Sequence, residues 1–171
     1  MRAIDVLKTR LEGDLLFVQN ENGFTGKMGF EWNDPATDTE IEKFEIENNV
    51  VLPDGFKDFL RISNGALLFK DTQYSQWGCK VLGLNDLISI TEKVADWGYS
   101  LDSNWLVFAT WLGDADILLF DMNKYGTGNK DYIIDGEQGE QVEDWENIKG
   151  DFSRWLDRLI VAQGAKYWRW Y

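Results

Sequence analysis

Two apolar segments in the middle of the chain, WLVFATWL at 105–112 and DILLFDM at 116–122, are separated only by a turn at Gly113-Asp114. Runs of this length, rich in branched and aromatic residues, predict the two strands of an antiparallel hairpin. The segments WGCKVLGL at 77–84 and DYIID at 131–135 predict further strands. Because helical patterns lie towards both ends, we expect an α+β fold with a mostly antiparallel central sheet flanked by helices.

The stretch VLPDGFKDFLRISNG at 51–65 predicts a short helix followed by the strand ALLF. Pro53 has a fixed φ and no N–H group, which suits a helix start, and Asp54 places a carboxylate at the positive end of the helix dipole. Asn64-Gly65 supplies residues that tolerate a left-handed backbone, so the helix is expected to end there.

Other helices are predicted from apolar periodicity and capping residues. Two of them are expected at residues 4–11 and 151–162. A third should begin at a capping box formed by Thr37 and Glu40 and end at Asn48-Asn49, and a fourth should run from an N-cap at Asn85 to about Trp97. Residues 15–32 are harder to interpret. Glycines at positions 23, 26 and 29 favour a loop or a broken strand there.

The length of 171 residues predicts one domain, residues 1–171, with an aromatic C-terminal tail at 164–171. No segment approaches the roughly 18–20 apolar residues of a membrane helix, and the N-terminus lacks the apolar run of a signal peptide. A cytoplasmic location without a membrane partner is therefore expected. The lone cysteine, Cys79, excludes an internal disulfide, and its apolar setting predicts an inert buried thiol.

Two features of the composition limit the possible functions. Histidine is absent, which excludes serine or cysteine catalysis that depends on histidine, and also histidine-ligated metals. The formal net charge is −13, and nucleic-acid binding normally relies on lysine and arginine, so direct binding of nucleic acid is disfavoured. A basic protein partner would be steered towards such a surface, although acidity also serves solubility alone.

Acidic residues form two groups that are candidates for function. Strand alternation places Asp114 and Asp116 on one face, where a carboxylate pair with tryptophan platforms could act on sugars. Turn acids and a solvated loop are the simpler interpretation. If the surface binds a protein partner instead, the predicted contact residues are Trp111, Asp114, Asp116, Glu137, Glu140, Glu143 and Asp144.

The segment DMNKYGTGNKDY at 121–132 resembles a calcium loop only in part. Asp121, Asn123 and Gly126 match the first, third and sixth positions, but Tyr132 stands where the bidentate glutamate belongs. We therefore expect no metal and no cofactor. Among the nine tryptophans, the core is expected to hold Trp32, Trp105, Trp111 and Trp155, whereas Trp168 and Trp170 alternate with Arg169 in a tail that could dock on the domain.

Residues 32–161 resemble the SUKH superfamily, which includes the fungal cell-wall-assembly regulator and many bacterial immunity proteins. The family pattern is a tryptophan, an Ile-x-x-Phe/Leu-Glu helix, Leu-Pro, and a Phe/Tyr-x-x-Phe-Leu helix closed by Asn-Gly. The matching residues are Trp32, Ile41, Phe44, Glu45, Leu52, Pro53, Phe56, Phe59, Leu60, Asn64 and Gly65. VLGLNDL, LVFATWLGDADILLFDM and DFSRWLDRLI are similar to later family segments. Thr110-Trp111-Leu112 replaces the usual glycine-rich start of the hairpin, and the aromatic tail is an addition.

The resemblance implies a SUKH-like α+β domain without catalytic apparatus or cofactor. It implies a non-enzymatic immunity protein that neutralises a cognate polymorphic toxin domain, often a nuclease, by stoichiometric contact. An acidic surface would suit a basic toxin of this kind. Two alternatives remain open at this point: a scaffold or regulatory interaction module, as in the fungal branch, and a carbohydrate-binding protein.

Overall fold

The computed structural model describes residues 2–19, 23 and 25–170, and these residues form an eight-stranded antiparallel sheet with six α-helices. The strands are β1 (Leu15–Gln19), β2 (Thr25–Trp32), β3 (Ala66–Asp71), β4 (Gly78–Val81), β5 (Trp105–Leu112), β6 (Ile117–Asp121), β7 (Ile133–Gly136) and β8 (Glu146–Ile148). The helices are α1 (Arg2–Arg10), α2 (Asp38–Glu47), α3 (Asp54–Leu60), α4 (Leu84–Asp96), α5 (Met122–Gly126) and α6 (Phe152–Val161).

The sheet is a meander in which every strand pairs with its neighbours in the chain, from β1 at one edge to β8 at the other. The predicted hairpin is present as β5 and β6, and the Trp111 N–H closes it by donating to the Asp116 carbonyl at 2.8 Å. The α+β prediction is therefore confirmed. None of the helices in the described part of the chain has the length and apolar character that crossing a bilayer requires.

The first hairpin differs from the sequence-based expectation, because residues 15–19 and 25–32 are paired strands rather than a loop. Leu16 and Val18 point into the core while Phe17 points outwards, which is the alternation of a half-buried strand. Gly29 pairs with Lys70 of β3, and a Cβ atom there would make only ordinary contacts, the nearest at 3.5 Å from Cγ2 of Thr72. Glycine weakens the strand signal, but the pairing of β2 with β1 and β3 outweighs it.

The predicted capping box is present at the start of α2. The Thr37 side chain accepts a hydrogen bond from the Glu40 N–H, and the Glu40 carboxylate accepts one from the Thr37 N–H at 2.7 Å. At the other end the chain leaves the helix at Asn48, and Asn49 adopts a positive φ of 50°, as the Asn-Asn pair predicted. The start and the stop of α2 are thus both encoded locally.

The Asn64-Gly65 pair lies beyond the end of α3, and Asn64 contacts the start of α4. Helix α3 ends at Leu60, and Gly65 lies beyond it in the turn to β3 with a φ of 92°. The Asn64 side-chain oxygen accepts a hydrogen bond from the Leu84 N–H at 2.8 Å, so it caps α4 from outside that helix. A Cβ atom on Gly83 would lie 2.3 Å from the Asn64 carbonyl oxygen, so only glycine fits this contact.

The prediction that Asn85 caps α4 is wrong, because Asn85 lies inside the first turn and Gly83 occupies the capping position. We expect Asn64→Ala to lower the free energy of unfolding by about 1–2 kcal/mol through loss of this cap. Asn85→Ala is the matched control and should change it by less than about 0.5 kcal/mol, since this residue is exposed. Urea denaturation of both variants measures the difference, and equal losses would rule out the cap.

A cluster of aromatic side chains forms the core between the sheet and the helices α3 and α6. Phe108 of β5 stacks on Phe120 of β6 with ring centroids 4.0 Å apart. Phe108 also forms T-shaped pairs with Phe56, Phe152 and Trp155. Strand β6 is buried at every position, as expected for a strand covered on both faces. Helix α4 packs against β5, where the Thr91 hydroxyl accepts a hydrogen bond from the Val107 N–H at 2.9 Å beside a bulge.

Candidate functional site

The chain beyond α6 folds back onto the ends of the strands, and residues 162–170 are called the C-terminal tail here. Backbone N–H groups of Ala165, Tyr167, Arg169 and Trp170 donate to carbonyl groups within the tail itself. Side chains tie the tail to the body of the protein. One example is Gln163, whose side-chain oxygen accepts a hydrogen bond from the Gln19 N–H of β1 at 2.8 Å.

Two cations of the tail bind carboxylates on and beside β6 and β7. Lys166 Nζ donates to Asp114 Oδ2 at 2.6 Å and also to Asp116 Oδ2. Arg169 holds both oxygens of Asp135 at 2.6 and 2.7 Å and reaches Asp116 Oδ2 at 2.6 Å. A planar guanidinium suits this two-pronged geometry. The tail therefore closes an ionic network across the end of the hairpin.

Asp116 is the centre of this network and is almost inaccessible, with 4% of its surface exposed. Burial alone would raise its pKa. Hydrogen bonds from Lys166 and the Gln138 N–H, together with the charges of Lys166 and Arg169, outweigh burial and hold the pKa below its usual value. Burial likewise opposes the charge of Arg169, and yet the carboxylates of Asp135 and Asp116 raise its pKa. Both side chains remain charged, because the opposite charge of the partner compensates for the water that each loses on burial.

Acid should remove the stabilising contribution of Asp116. A carboxylate with a lowered folded-state pKa contributes fully above its unfolded pKa of 3.8, and this contribution is lost as the pH falls through the folded value. We expect the difference in free energy of unfolding between wild type and Asp116→Asn to be constant near neutrality and to shrink below about pH 4. Urea titrations measure it. A difference that stays constant down to about pH 2 would contradict the assigned cause.

Trp111 lies beneath the tail and is buried, with 3% of its surface exposed. Its ring meets the edge of Trp168 at a centroid distance of 5.6 Å, and Lys166 Nζ lies 5.1 Å from its centroid. Lys166 also lies 5.5 Å from the ring of Trp77. The ammonium group is thus held by two carboxylates and two indole faces, which is a favourable setting for a desolvated cation.

The structure places the seven predicted contact residues at two depths. Trp111 and Asp116 are buried under the tail, and Asp114 is half-buried and bound to Lys166. The other four residues are exposed on the loop between β7 and β8, which is called the acidic loop here (residues 137–145): Glu137, Glu140, Glu143 and Asp144. These four are accessible to a partner, whereas Trp111 and Asp116 are covered and contact the tail.

The acidic loop borders a groove of about 380 Å³. The segment 131–148 contains seven acidic residues and neither lysine nor arginine. The ring of Trp145 lies in the groove wall, and its indole N–H donates to the Glu137 carbonyl at 3.2 Å. The Gly139 N–H donates to the Tyr99 hydroxyl at 3.3 Å, which holds the loop at a second point. Arg169 contacts Glu137 at 3.3 Å and is the cation of the tail that lines this groove.

Sequence reasoning missed the cations that complete this site. Arg169 was expected to stack or dock, but no local pattern pointed to Asp135 as its partner, since the two residues are 34 positions apart. Lys166 is visible in the sequence only as a second cation in an aromatic tail, and nothing near it indicates Asp114 or Asp116 as its partners. The aromatic residues are the usable signal, because they bury large apolar areas when a segment packs against a domain.

The arrangement does not resemble a general acid–base pair or a metal site. Asp116 is buried, ionised and bound to cations, so it is poorly suited to donate or accept a proton from a substrate. No group of metal-ligating side chains is assembled within residues 2–19, 23 and 25–170. In the former calcium candidate, Asp121 caps α5 by accepting a hydrogen bond from the Lys124 N–H at 2.9 Å. Cys79 is buried, and burial raises the pKa of its thiol.

The chain is similar to known proteins over most of its length. The chain is 28% identical over 146 residues to the uncharacterized protein YnaB of Bacillus subtilis (strain 168), covering 81% of this chain and 86% of the relative. It is 26% identical over 140 residues to the uncharacterized protein YobM of the same strain, covering 80% of this chain and 72% of the relative. Residues 35–158 match the SMI1 / KNR4 family (SUKH-1), so α1, the first hairpin and the C-terminal tail lie outside the matched region. With most of its sheet and four of its helices inside that match, the chain belongs to the SMI1 / KNR4 family (SUKH-1).

Proposed function

We propose that the protein is a non-enzymatic immunity protein that binds a cognate bacterial toxin domain and neutralises it by stoichiometric contact. The observation that supports this proposal is the acidic loop, where four carboxylates are exposed in a segment without a basic residue. Membership of a family that includes immunity proteins points the same way. The proposed contacts are Glu137, Glu140, Glu143 and Asp144, while Trp111, Asp114 and Asp116 position the tail beside them.

A basic toxin domain fits this surface for physical reasons. Nucleases hold phosphate groups with lysine and arginine, and an acidic protein can occupy the same positive field. The field of a molecule with a net charge of −13 would speed the encounter, and added salt would slow it. Blocking by contact needs no catalytic residue, which agrees with a site whose best-placed carboxylate is already paired with two cations.

The test is a survival assay. The C-terminal domain of any large secreted protein that is encoded beside this chain is expressed with and without it, and surviving cells are counted. Survival that depends on the chain supports immunity. Cell death in both cases, with the chain well expressed, removes that toxin as the partner and favours a regulatory interaction module.

Charge reversal then tests the proposed surface in the purified pair. We expect Glu140→Lys/Glu143→Lys to weaken binding by at least about tenfold at low salt, because like charges would face the partner. Glu12→Lys/Asp14→Lys is the matched control, because this variant changes the net charge by the same amount. Both of its residues are exposed and lie outside the acidic loop. Isothermal titration calorimetry measures both affinities. Equal weakening by the two variants would mean that net charge acts, and not this surface.

A further inference from the structure

A second groove of about 800 Å³ lies between the loop after α2, helix α4 and helix α5. Its walls are more apolar than those of the acidic groove. The apolar groove, as it is called here, is lined by Val50, Val51, Ile88, Trp105, Met122 and Tyr125, with asparagine side chains between them. Val51 lines this groove and is 62% exposed, and it also lines an adjoining depression together with Ile46, which is 80% exposed. Exposed apolar side chains that lie together mark interaction surfaces more often than scattered single ones do.

The apolar groove and the acidic groove are neighbours. Trp105 lines the first, Trp145 lines the second, and the two rings stack with centroids 6.3 Å apart. A hydrogen bond from Lys124 of α5 to Asn147 of β8 joins the same two regions. One partner could therefore cover both grooves without a break between them.

Charge around the apolar groove has the same sign as that of the acidic loop. Helix α2, which carries Ile46, contains five acidic residues, three of which are paired with lysine or arginine. Glu42 is exposed on this helix, and Glu92 lies exposed in the wall of the groove. An apolar centre with an acidic rim favours a partner with an apolar protrusion and basic surroundings.

We propose that the apolar groove is the second half of the partner surface and takes an apolar segment of the same basic toxin domain; this rests on the proposed function. The acidic loop attracts the partner, and the apolar groove supplies the desolvated contact that holds it. A second copy of this chain is a poor occupant, because two molecules of charge −13 would bring their acidic rims together. Most of the binding energy at interfaces comes from a few desolvated residues, often tryptophan or tyrosine, and Trp105 and Tyr125 line this groove.

The first test uses a fluorescein-labelled peptide in which pairs of leucine and lysine alternate, so the surface is tested without the toxin. We expect Ile46→Ser/Val51→Ser to raise the Kd of this peptide by at least about tenfold. The matched control is Val6→Ser/Val161→Ser, which removes two exposed branched side chains elsewhere and should leave the Kd within about twofold. Fluorescence anisotropy measures each Kd.

Two altered peptides separate the contributions. Serine in place of leucine should abolish binding if the apolar groove holds the peptide, and glutamate in place of lysine should abolish it if the acidic rim is needed. In the NMR spectrum of the wild type, the indole N–H signals of Trp105 and Trp145 should move on binding, whereas that of the fully buried Trp155 should not.

Several results would overturn the proposal. These are no binding to the wild type, equal weakening by the control double variant, or a dimer of the wild type in sedimentation that Ile46→Ser/Val51→Ser dissociates. The last result would assign the apolar groove to a second copy. Failure here with rescue in the survival assay would leave immunity intact and move the contact elsewhere. Success here without rescue would keep the surface and remove the tested toxin as the partner.

Discussion

Asp116→Ala is expected to lower the free energy of unfolding by about 3–5 kcal/mol, because removing one partner of a buried ion pair leaves uncompensated charge. In this protein Lys166, of which 8% is exposed, would keep only the half-exposed Asp114, and Arg169 would lose one of its carboxylate partners. The Gln138 N–H would also lose its acceptor. Chemical denaturation at neutral pH, followed by tryptophan fluorescence, measures the loss.

Asp114→Ala is the matched control for this prediction. Asp114 binds the same Lys166, but 38% of its side chain is exposed, so water can replace much of the lost contact. We expect a loss of less than about 1 kcal/mol. If both variants lost the same amount, then burial would not be what makes the network strong. A loss below about 1 kcal/mol in Asp116→Ala would show that the tail relaxes and releases its cations to water.

The second large effect is expected from Phe108→Ala, which should lower the free energy of unfolding by about 3–5 kcal/mol. Phe108 is fully buried, and it contacts rings from α3, β6 and α6. Truncation would leave a cavity that rigid aromatic neighbours fill poorly. The same urea titration measures it, and the slope of the transition should not change if the unfolded state is unaffected.

Phe17→Ala removes the same type of ring from a position on β1 that is 65% exposed. It is therefore the control for losing a phenyl ring that is not buried. We expect a change of less than about 0.5 kcal/mol. A comparable loss in both variants would mean that the ring in β1 packs against something in solution, and the edge strand would then be the place to look.

Much of the fold was predictable because its signals are local. The capping box of Thr37 and Glu40, the helix after Pro53 and the turn at Gly113 each depend on residues within a few positions of one another. The first hairpin was not predictable in the same way. Its three glycines lower strand propensity, and the pairing with β3 that outweighs this comes from residues far along the chain.

The candidate site was harder to predict than the fold, for the same reason. The acidic loop could be found from composition, since its carboxylates are neighbours in the sequence. The burial of Asp116 could not be found in this way, because it depends on Lys166 and Arg169, which are 50 and 53 positions away. The capping of α4 shows the same limit, because its cap comes from Asn64, twenty positions before the helix.

The order of the strands in the sheet also bears on the folding pathway. In a meander each strand pairs with the next strand along the chain. Because the connecting loops are short compared with the whole chain, closing them costs little conformational entropy, and pairing can occur early. The tail contacts span much longer stretches, up to 144 positions between Gln19 and Gln163. We therefore expect the sheet to form before the tail docks. For an interval during each folding event, the carboxylates at the end of the hairpin are assembled without the cations that neutralise them.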